Sequence, residues 1–394
     1  MAIILFDGNA HQTLLPLTYT RPVADLRIGI LTIAEKWGKY LNTDFSYHTQ
    51  DYLSAKFPVK IQQQNLFING AVCPDEQLQE AIDKLHNGEA LKYNGQLIAV
   101  KLSESDAKGF NTEAKFDKVI DYNRLPEMIL LPEDIFRKND AELRKDYHLL
   151  TKGRSSAAIS ATNTIIGTDF FAEEGAVAEC STFNTTNGPI YLAAATEVWE
   201  GTHIRGGFAL CDHSQVKMGT KIYGATTIGP YCRVGGEINN AVMWGYSSKG
   251  HEGYLGNSVV GEWCNIGADS NNSNLKNNYA EVKLWDYALQ HFRKTGLQFC
   301  GLIMADHAKC AINTMFNTGT VVGVSANVFG AGFPRNFVPD FSWGGAQGFE
   351  TYTLKKMFET TEKVFERRDH RSFNHVEQDI LKKVFELTEE FRRL

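Results

Sequence analysis

Between residues 192 and 234 an aliphatic residue returns at every sixth position: Leu192, Val198, Ile204, Leu210, Val216, Ile222, Ile228 and Val234. An α-helix brings its buried face round every 3.6 residues and a simple strand every second residue. Neither element satisfies a period of six. Small or turn-forming residues fill the intervals, as in GTHIRG, GTKIYG and ATTIGP. This is the signature of a parallel β-helix built from hexapeptides, in which each hexad supplies one short strand and one turn. Three hexads then close one coil, and equivalent aliphatics stack as a ladder inside a prism. The pattern resumes at Val260 and Ile266, and again at Phe316, Val322 and Val328. Between these portions lies a non-repetitive insertion, residues 271–298, rich in aromatic and charged side chains. A loop thrown out of a rigid solenoid is where function is expected, because the coils supply only a scaffold.

Residues 1–150 lack the period. Apolar runs (IILF, LIAV, KVIDY, MILL) alternate with helical candidates at Leu26 to Leu41 and over PDEQLQEAIDKLHNG, where Asp75 reads as an N-cap and Gly88 as a stop. That alternation predicts an α/β domain. The small, polar stretch from Leu150 to Thr164 marks a boundary, so the solenoid is expected over 155–345. The tail, 349–394, reads as one or two amphipathic helices. Val376, Ile380, Val384 and Phe391 share a face with Leu381 and Leu387, and Asn374 with Glu377 has the spacing of a capping box. Such a face must cover either a solenoid end, whose strand edges are otherwise open, or the first domain.

The 394 residues carry a formal net charge of −6, with 43% hydrophobic and 22% charged side chains. An acidic balance offers a phosphate backbone no footprint, which sets nucleic acid aside as a partner. No apolar run approaches a membrane span. The N-terminal MAIILF is too short for a signal peptide and reads as a first buried strand, and seven cysteines without C-x-x-C spacing fit neither a disulfide framework nor a structural zinc site. The expected location is the cytoplasm.

Residues 249–257 read KGHEGYLGN, with His251 between glycines. A neutral imidazole can accept the proton that an amine sheds when it attacks a thioester. Gly250 and Gly253 are expected to open the turn geometry that presents it. The plainer reading keeps His251 as a histidine that hydrogen-bonds a neighbouring coil. Gly250-His251-Glu252-Gly253-Tyr254-Leu255-Gly256-Asn257, followed by Asn265-Ile266-Gly267-Ala268 and Asn274, resembles the acetyltransferase motif of the GlmU family. Those bifunctional enzymes acetylate glucosamine 1-phosphate and then uridylylate the product. The resemblance implies a left-handed β-helix, a homotrimer, His251 as general base, and Tyr254, Asn265 and Asn274 as sugar-binding residues. It places Arg293 and Lys294, before Thr295, near an acetyl-CoA or other acyl-CoA donor. Where the family has a lysine pair, this chain has Asn239 and Asn240, and Asp269 and Leu275 replace a family glycine and tyrosine.

The N-terminal stretch Leu5 to Val23 resembles the opening of sugar-1-phosphate nucleotidyltransferases. It keeps the P-L-T-x-x-x-P frame as Pro16-Leu17-Thr18 and Pro22 but lacks the second glycine, the threonine, the arginine and the lysine of that motif. Gly8, Arg21 and Arg27 are the candidate nucleotide-binding residues, and Asp7 and Asp25 the candidate Mg²⁺ ligands. The plainer reading, and the preferred one, makes each of these charged residues an ordinary surface charge on a loop. Together with these resemblances, which alone imply the nucleotidyltransferase likeness and the left hand, the sequence leads to an α/β nucleotidyltransferase-like (Rossmann-like) domain, a left-handed parallel β-helix and C-terminal helices. The implied protein is a transferase of the GlmU type, acting on a sugar phosphate or nucleotide sugar. The alternative is a non-catalytic sugar-nucleotide-binding or scaffolding protein with a degenerate first domain.

Overall fold

The apolar N-terminal run forms strand β1 (Ala2–Phe6), all of it buried. In the computed structural model, which describes residues 1–368 and 372–393, β1 lies within a six-stranded sheet. The other strands are β2 (Phe45–His48), β3 (Gln64–Asn69), β4 (Glu89–Tyr93), β5 (Gln96–Ser103) and β6 (Lys118–Asp121). Their order is β2-β1-β3-β5-β4-β6. β1 runs parallel to β2 and β3, whereas β5 is antiparallel to both of its neighbours, so the sheet is mixed. Ile4, Phe6, Phe67, Val100 and Leu102 form one apolar face, where Phe67 stacks on Phe110 at 4.0 Å.

The helix expected from Leu26 begins later, at Ile33–Leu41. Thr32 accepts from the Glu35 amide and Glu35 accepts from the Thr32 amide, a complete capping box that fixes the start. The second expected helix is Glu76–Asp83, with Asp75 accepting from the Leu78 amide at 2.7 Å. It ends well before Gly88, which serves a turn at φ 83° rather than a helix stop. The apolar run MILL forms no strand; only Met128 bridges to Val72.

Two compact units emerge: Met1–Leu26 with Leu31–Leu131, and Arg27–Ile30 with Pro132–Leu394. The division falls earlier than residue 150 because helix Asp134–Thr151 belongs with the solenoid. Asn139, fully buried on that helix, donates to the Ala225 carbonyl and to Thr227 Oγ1. It also accepts from the Gly29 amide, and Asp146 accepts from the Ile30 amide, so the helix fastens the strap 27–30. A Cβ on Gly29 would fall 2.5 Å from Asp146 Oδ2 at φ 71°, so only glycine fits there.

The second unit is the hexapeptide prism. All eight residues of the period are buried, each at 2% exposure or less. The three ladders are those the period predicts. Ile204, Ile222, Ile238 and Leu255 stack in register on one face, Leu210, Ile228, Met243, Val260, Met304, Val322 and Val338 on the second, and Val198, Val216 and Val234 on the third. The six-residue spacing lapses after Val234 because the coils shorten. Lys221 pairs with Glu237, 16 residues on, and Glu237 with Tyr254, 17 residues on. Corners there use fewer residues while each face keeps its strand.

The insertion leaves the solenoid after strand Asn271–Asn272, which still pairs with Met315–Phe316. It folds into an antiparallel hairpin, Lys283–Asp286 against His291–Lys294. The tail forms helices Leu354–Arg368 and His375–Leu387. Asn374 caps the second by accepting from the Glu377 amide at 3.0 Å. Ile380, Leu381, Val384 and Phe391 are buried as expected, but Leu387 faces solvent. These helices lie along the solenoid: Phe365 stacks on Trp263 at 4.0 Å, and Phe385 meets Phe341 edge-on. Residues 369–371 and 394 of the expected tail lie outside the described residues.

Candidate functional site

His251 stands at the corner between strand Ser248–Lys249 of the third face and strand Tyr254–Val260 of the first. Its imidazole is exposed and has no hydrogen-bond partner among the described residues. Gly253 makes the turn possible. It sits at φ 119°, and a Cβ there would lie 2.1 Å from the Ser270 carbonyl oxygen. Gly250, by contrast, has no left-handed φ and no close neighbour, so the turn depends on one of the two glycines expected.

Beneath this corner is a residue that the period did not flag. Lys249 pairs in register with Val234, in the inward row of the third face, and is 1% exposed. Its ammonium group donates to the Gly235 and His251 carbonyls, both at 2.9 Å. Burial lowers its pKa from 10.5 to about 8. A buried amine thus holds the main chain of the histidine itself. Broken hexads were its only sequence signal, because a lysine at an aliphatic position looks like an end of the repeat.

Tyr254 lies flat across the next turn of strand, so that a Cβ on Gly256 would meet its hydroxyl at 2.2 Å. Asn274 donates from Nδ2 to the Tyr254 hydroxyl at 2.9 Å and to Asn257 Oδ1 at 2.7 Å. Asn239 donates to the same hydroxyl at 3.5 Å. Desolvation raises the Tyr254 pKa above its ordinary value. With its amide oriented to satisfy its neighbours, Asn240 donates to the Ala225 and Phe136 carbonyls and accepts from Asn257. Tyr254 and Asn274 are therefore brought together, and the asparagines at 239 and 240 join the same polar cluster. Asn265 is not part of it. Its Oδ1 accepts from Arg368 at 3.0 Å, because Asn265 lies on the third face under helix Leu354–Arg368.

Arg293, expected beside an acyl donor, is committed elsewhere. Its guanidinium donates to both oxygens of Glu133 at 2.6 Å and to Asp286 at 3.1 Å. A two-pronged bond to a carboxylate that is 1% exposed fixes the hairpin and leaves the arginine little reach toward a ligand. Lys294, 73% exposed, approaches Glu281 at 3.6 Å.

In the first unit Gly8 takes φ 53° in the turn after β1. Asp7 is buried, and both its oxygens are used: one accepts from the Val23 amide at 2.7 Å and the other from Thr49 at 2.5 Å. Burial raises its pKa to about 6. Asp25 accepts from Arg21 at 3.1 Å and from the Tyr47 hydroxyl at 3.4 Å. These bonds knit the loop together, and neither carboxylate fits the open donor set that a magnesium ion takes. Arg27 falls in the strap of the second unit and donates to the Ile30 carbonyl. The expected set of Gly8, Arg21 and Arg27 is thus divided between the units. Thr18 of the retained P-L-T frame donates to the His11 carbonyl at 2.6 Å. His11 itself is buried with neither ring nitrogen bonded among the described residues, and burial pushes its pKa down to about 4.

The chain thus joins a mixed-sheet domain with a glycine turn after its first strand to a hexapeptide prism. Residues 3–155 match a family described as sugar nucleotidyl transferase, and that match followed by a β-helix is the domain order of GlmU-like proteins. The match runs through helix Asp134–Thr151 although that helix belongs structurally to the second unit. No curated protein matches the sequence significantly. Solved structures with some likeness include the UDP-N-acetylglucosamine acyltransferase of Arabidopsis, at 15% identity over 59% of this chain and 91% of that one, with a TM-score of 0.22. The enzyme of that name from Campylobacter jejuni overlaps 58% of this chain and 83% of its own at 11% identity and a TM-score of 0.25. LpxA from Acinetobacter baumannii overlaps 59% and 93% at 10% identity and a TM-score of 0.26. Overlap at this level defines no activity for the chain. Among the described residues no helix is long and apolar enough to cross a membrane.

Proposed function

We propose that the solenoid transfers an acyl group from a thioester donor, acetyl-CoA or another acyl-CoA, to the amine of an amino sugar or its nucleotide derivative, with His251 as general base. The amine nitrogen attacks the thioester carbonyl, the new C–N bond forms, and the C–S bond breaks. His251 takes the proton from nitrogen and returns it to the departing thiolate. The observation that carries this reading is the exposed, unbonded imidazole on a turn fixed from below by Lys249 and shaped by Gly253. The cluster of Tyr254 and Asn257 with Asn274, which follows the next coil's strand, supplies sugar-binding amides and a hydroxyl. A homotrimer, with solenoid faces side by side, belongs to the same reading.

For the first unit two readings stand: nucleotidyl transfer to a sugar 1-phosphate, or nucleotide-sugar binding without turnover. The bonds that occupy Asp7 and Asp25 favour the second. The test compares the parent protein with His251→Ala for thiol release from acetyl-CoA in the presence of amino-sugar phosphates and their nucleotide derivatives. Turnover is expected to collapse while the melting temperature stays. Equal turnover in the two proteins, or none in the parent, removes the acyltransferase reading.

A further inference from the structure

The second unit contains a cavity of about 890 Å³ where the insertion hairpin, the last coils and the final helical turn meet. Strand pairing decides which residues enter it. Trp285 stands directly opposite Phe292 in the hairpin, and Lys283 opposite Lys294, so all four share a face. Leu284 and Arg293, paired with each other, share the opposite face, where Arg293 meets Glu133. The hairpin thus separates its structural arginine from the cavity.

The lining is aromatic and cationic. Trp285 stacks on Phe337 at 4.3 Å with an interplanar angle of 11°, and Phe292 stands edge-on to it at 5.4 Å, 40% exposed. The Trp285 indole N–H is buried and meets no acceptor among the described residues. Four cations, Lys276, Lys283, Arg335 and Arg392, face one carboxylate, Glu350. Lys283 and Arg335 make no hydrogen bond or ion pair with any described residue. In a chain of net charge −6, an excess of cations around a ring-lined cavity calls for an anion. An exposed phenyl face beside it calls for a flat ring.

We propose that this cavity binds a ligand with a planar base and a diphosphate, the base against Phe292 and the phosphates between Lys283 and Arg335. The inference stands apart from the acyl-transfer reading, since it uses neither His251 nor the first unit. It covers two sources of one chemistry, a coenzyme A headgroup or a nucleotide sugar.

Titration calorimetry on the full chain tests it, with ADP, UDP, 3′,5′-ADP, adenosine and pyrophosphate as probes. The charge reversal Lys283→Glu/Arg335→Glu is expected to weaken ADP binding by at least about tenfold. Both side chains are exposed, so an unchanged melting temperature checks the fold. Phe292→Ala is expected to weaken ADP by about tenfold and leave pyrophosphate unaffected. Tighter binding of 3′,5′-ADP than UDP supports the cavity with a coenzyme A headgroup as its ligand, and the reverse order supports it with a nucleotide sugar. Three results overturn the proposal: ADP affinity within twofold of the parent in both variants, pyrophosphate as tight as ADP, or no heat from any probe at millimolar concentration.

Discussion

Replacing Lys249 with methionine separates the stability of the solenoid from the geometry of its histidine corner. The folded pKa of Lys249 lies near 8, below its ordinary 10.5. Between these two values the unfolded chain holds a proton that the folded chain has released, so stability rises with pH across that window. The shift corresponds to about 3 kcal/mol, present as a penalty below pH 8 and absent above pH 10.5. Lys249→Met removes the charge and fills the row occupied by Val234 in the previous coil. It also strips the Gly235 and His251 carbonyls of a donor, a loss of about 1 kcal/mol each. The variant is expected to be about 1 kcal/mol above the parent in stability at pH 7 and to fall to about 2 kcal/mol below it by pH 10.5, a change of about 3 kcal/mol. Urea unfolding of both proteins at pH 7, 8.5 and 10 reads it, and other titrating groups cancel in the difference. Acyl transfer is expected to fall in the same variant, because the His251 carbonyl loses its anchor. A stability difference that is flat between pH 7 and pH 10 refutes the argument, and so does a variant destabilised by more than about 2 kcal/mol at pH 7.

Arg293→Met leaves the buried Glu133 carboxylate without its guanidinium and is expected to destabilise the second unit by about 3–5 kcal/mol in urea unfolding. The double variant Glu133→Gln/Arg293→Met is expected to recover most of that loss; a cost below about 1 kcal/mol for Arg293→Met instead releases the arginine for a ligand role. Gly253→Ala forces a Cβ against the Ser270 carbonyl and is expected to cost more than about 2 kcal/mol, whereas Gly250→Ala is expected to stay within about 1 kcal/mol. Thermal unfolding of the pair checks this, and equal effects count against a turn that depends on Gly253.

Part of the site was legible in the sequence and part was not. The resemblance grouped Tyr254 with Asn274, and they do meet, although a coil of 17 residues returns Asn271 to Tyr254 and leaves Asn274 three residues further on. The fate of Asn265 could not be anticipated, because its partner Arg368 comes from a helix about a hundred residues later. Arg293 carried the same difficulty: nothing local shows that Glu133 lies opposite. Lys249 was hidden by the rule that revealed the fold, since a ladder found by its aliphatic residues passes over the one that is not aliphatic.

The sequence by itself determined the repeating architecture. A period of six is a local property, repeated along the chain, and parallel stacking turns it directly into buried ladders. It also determined the first strand and the two caps at Asp75 and Asn374, where a side chain bonds an amide three residues away. Only the tertiary structure decided which unit holds the helix Asp134–Thr151 and the strap 27–30, which face of the hairpin lines a cavity, and what holds the His251 turn. Each of these rests on partners far apart in the chain, chosen by burial and hydrogen-bond satisfaction together, and no spacing within the sequence encodes that choice.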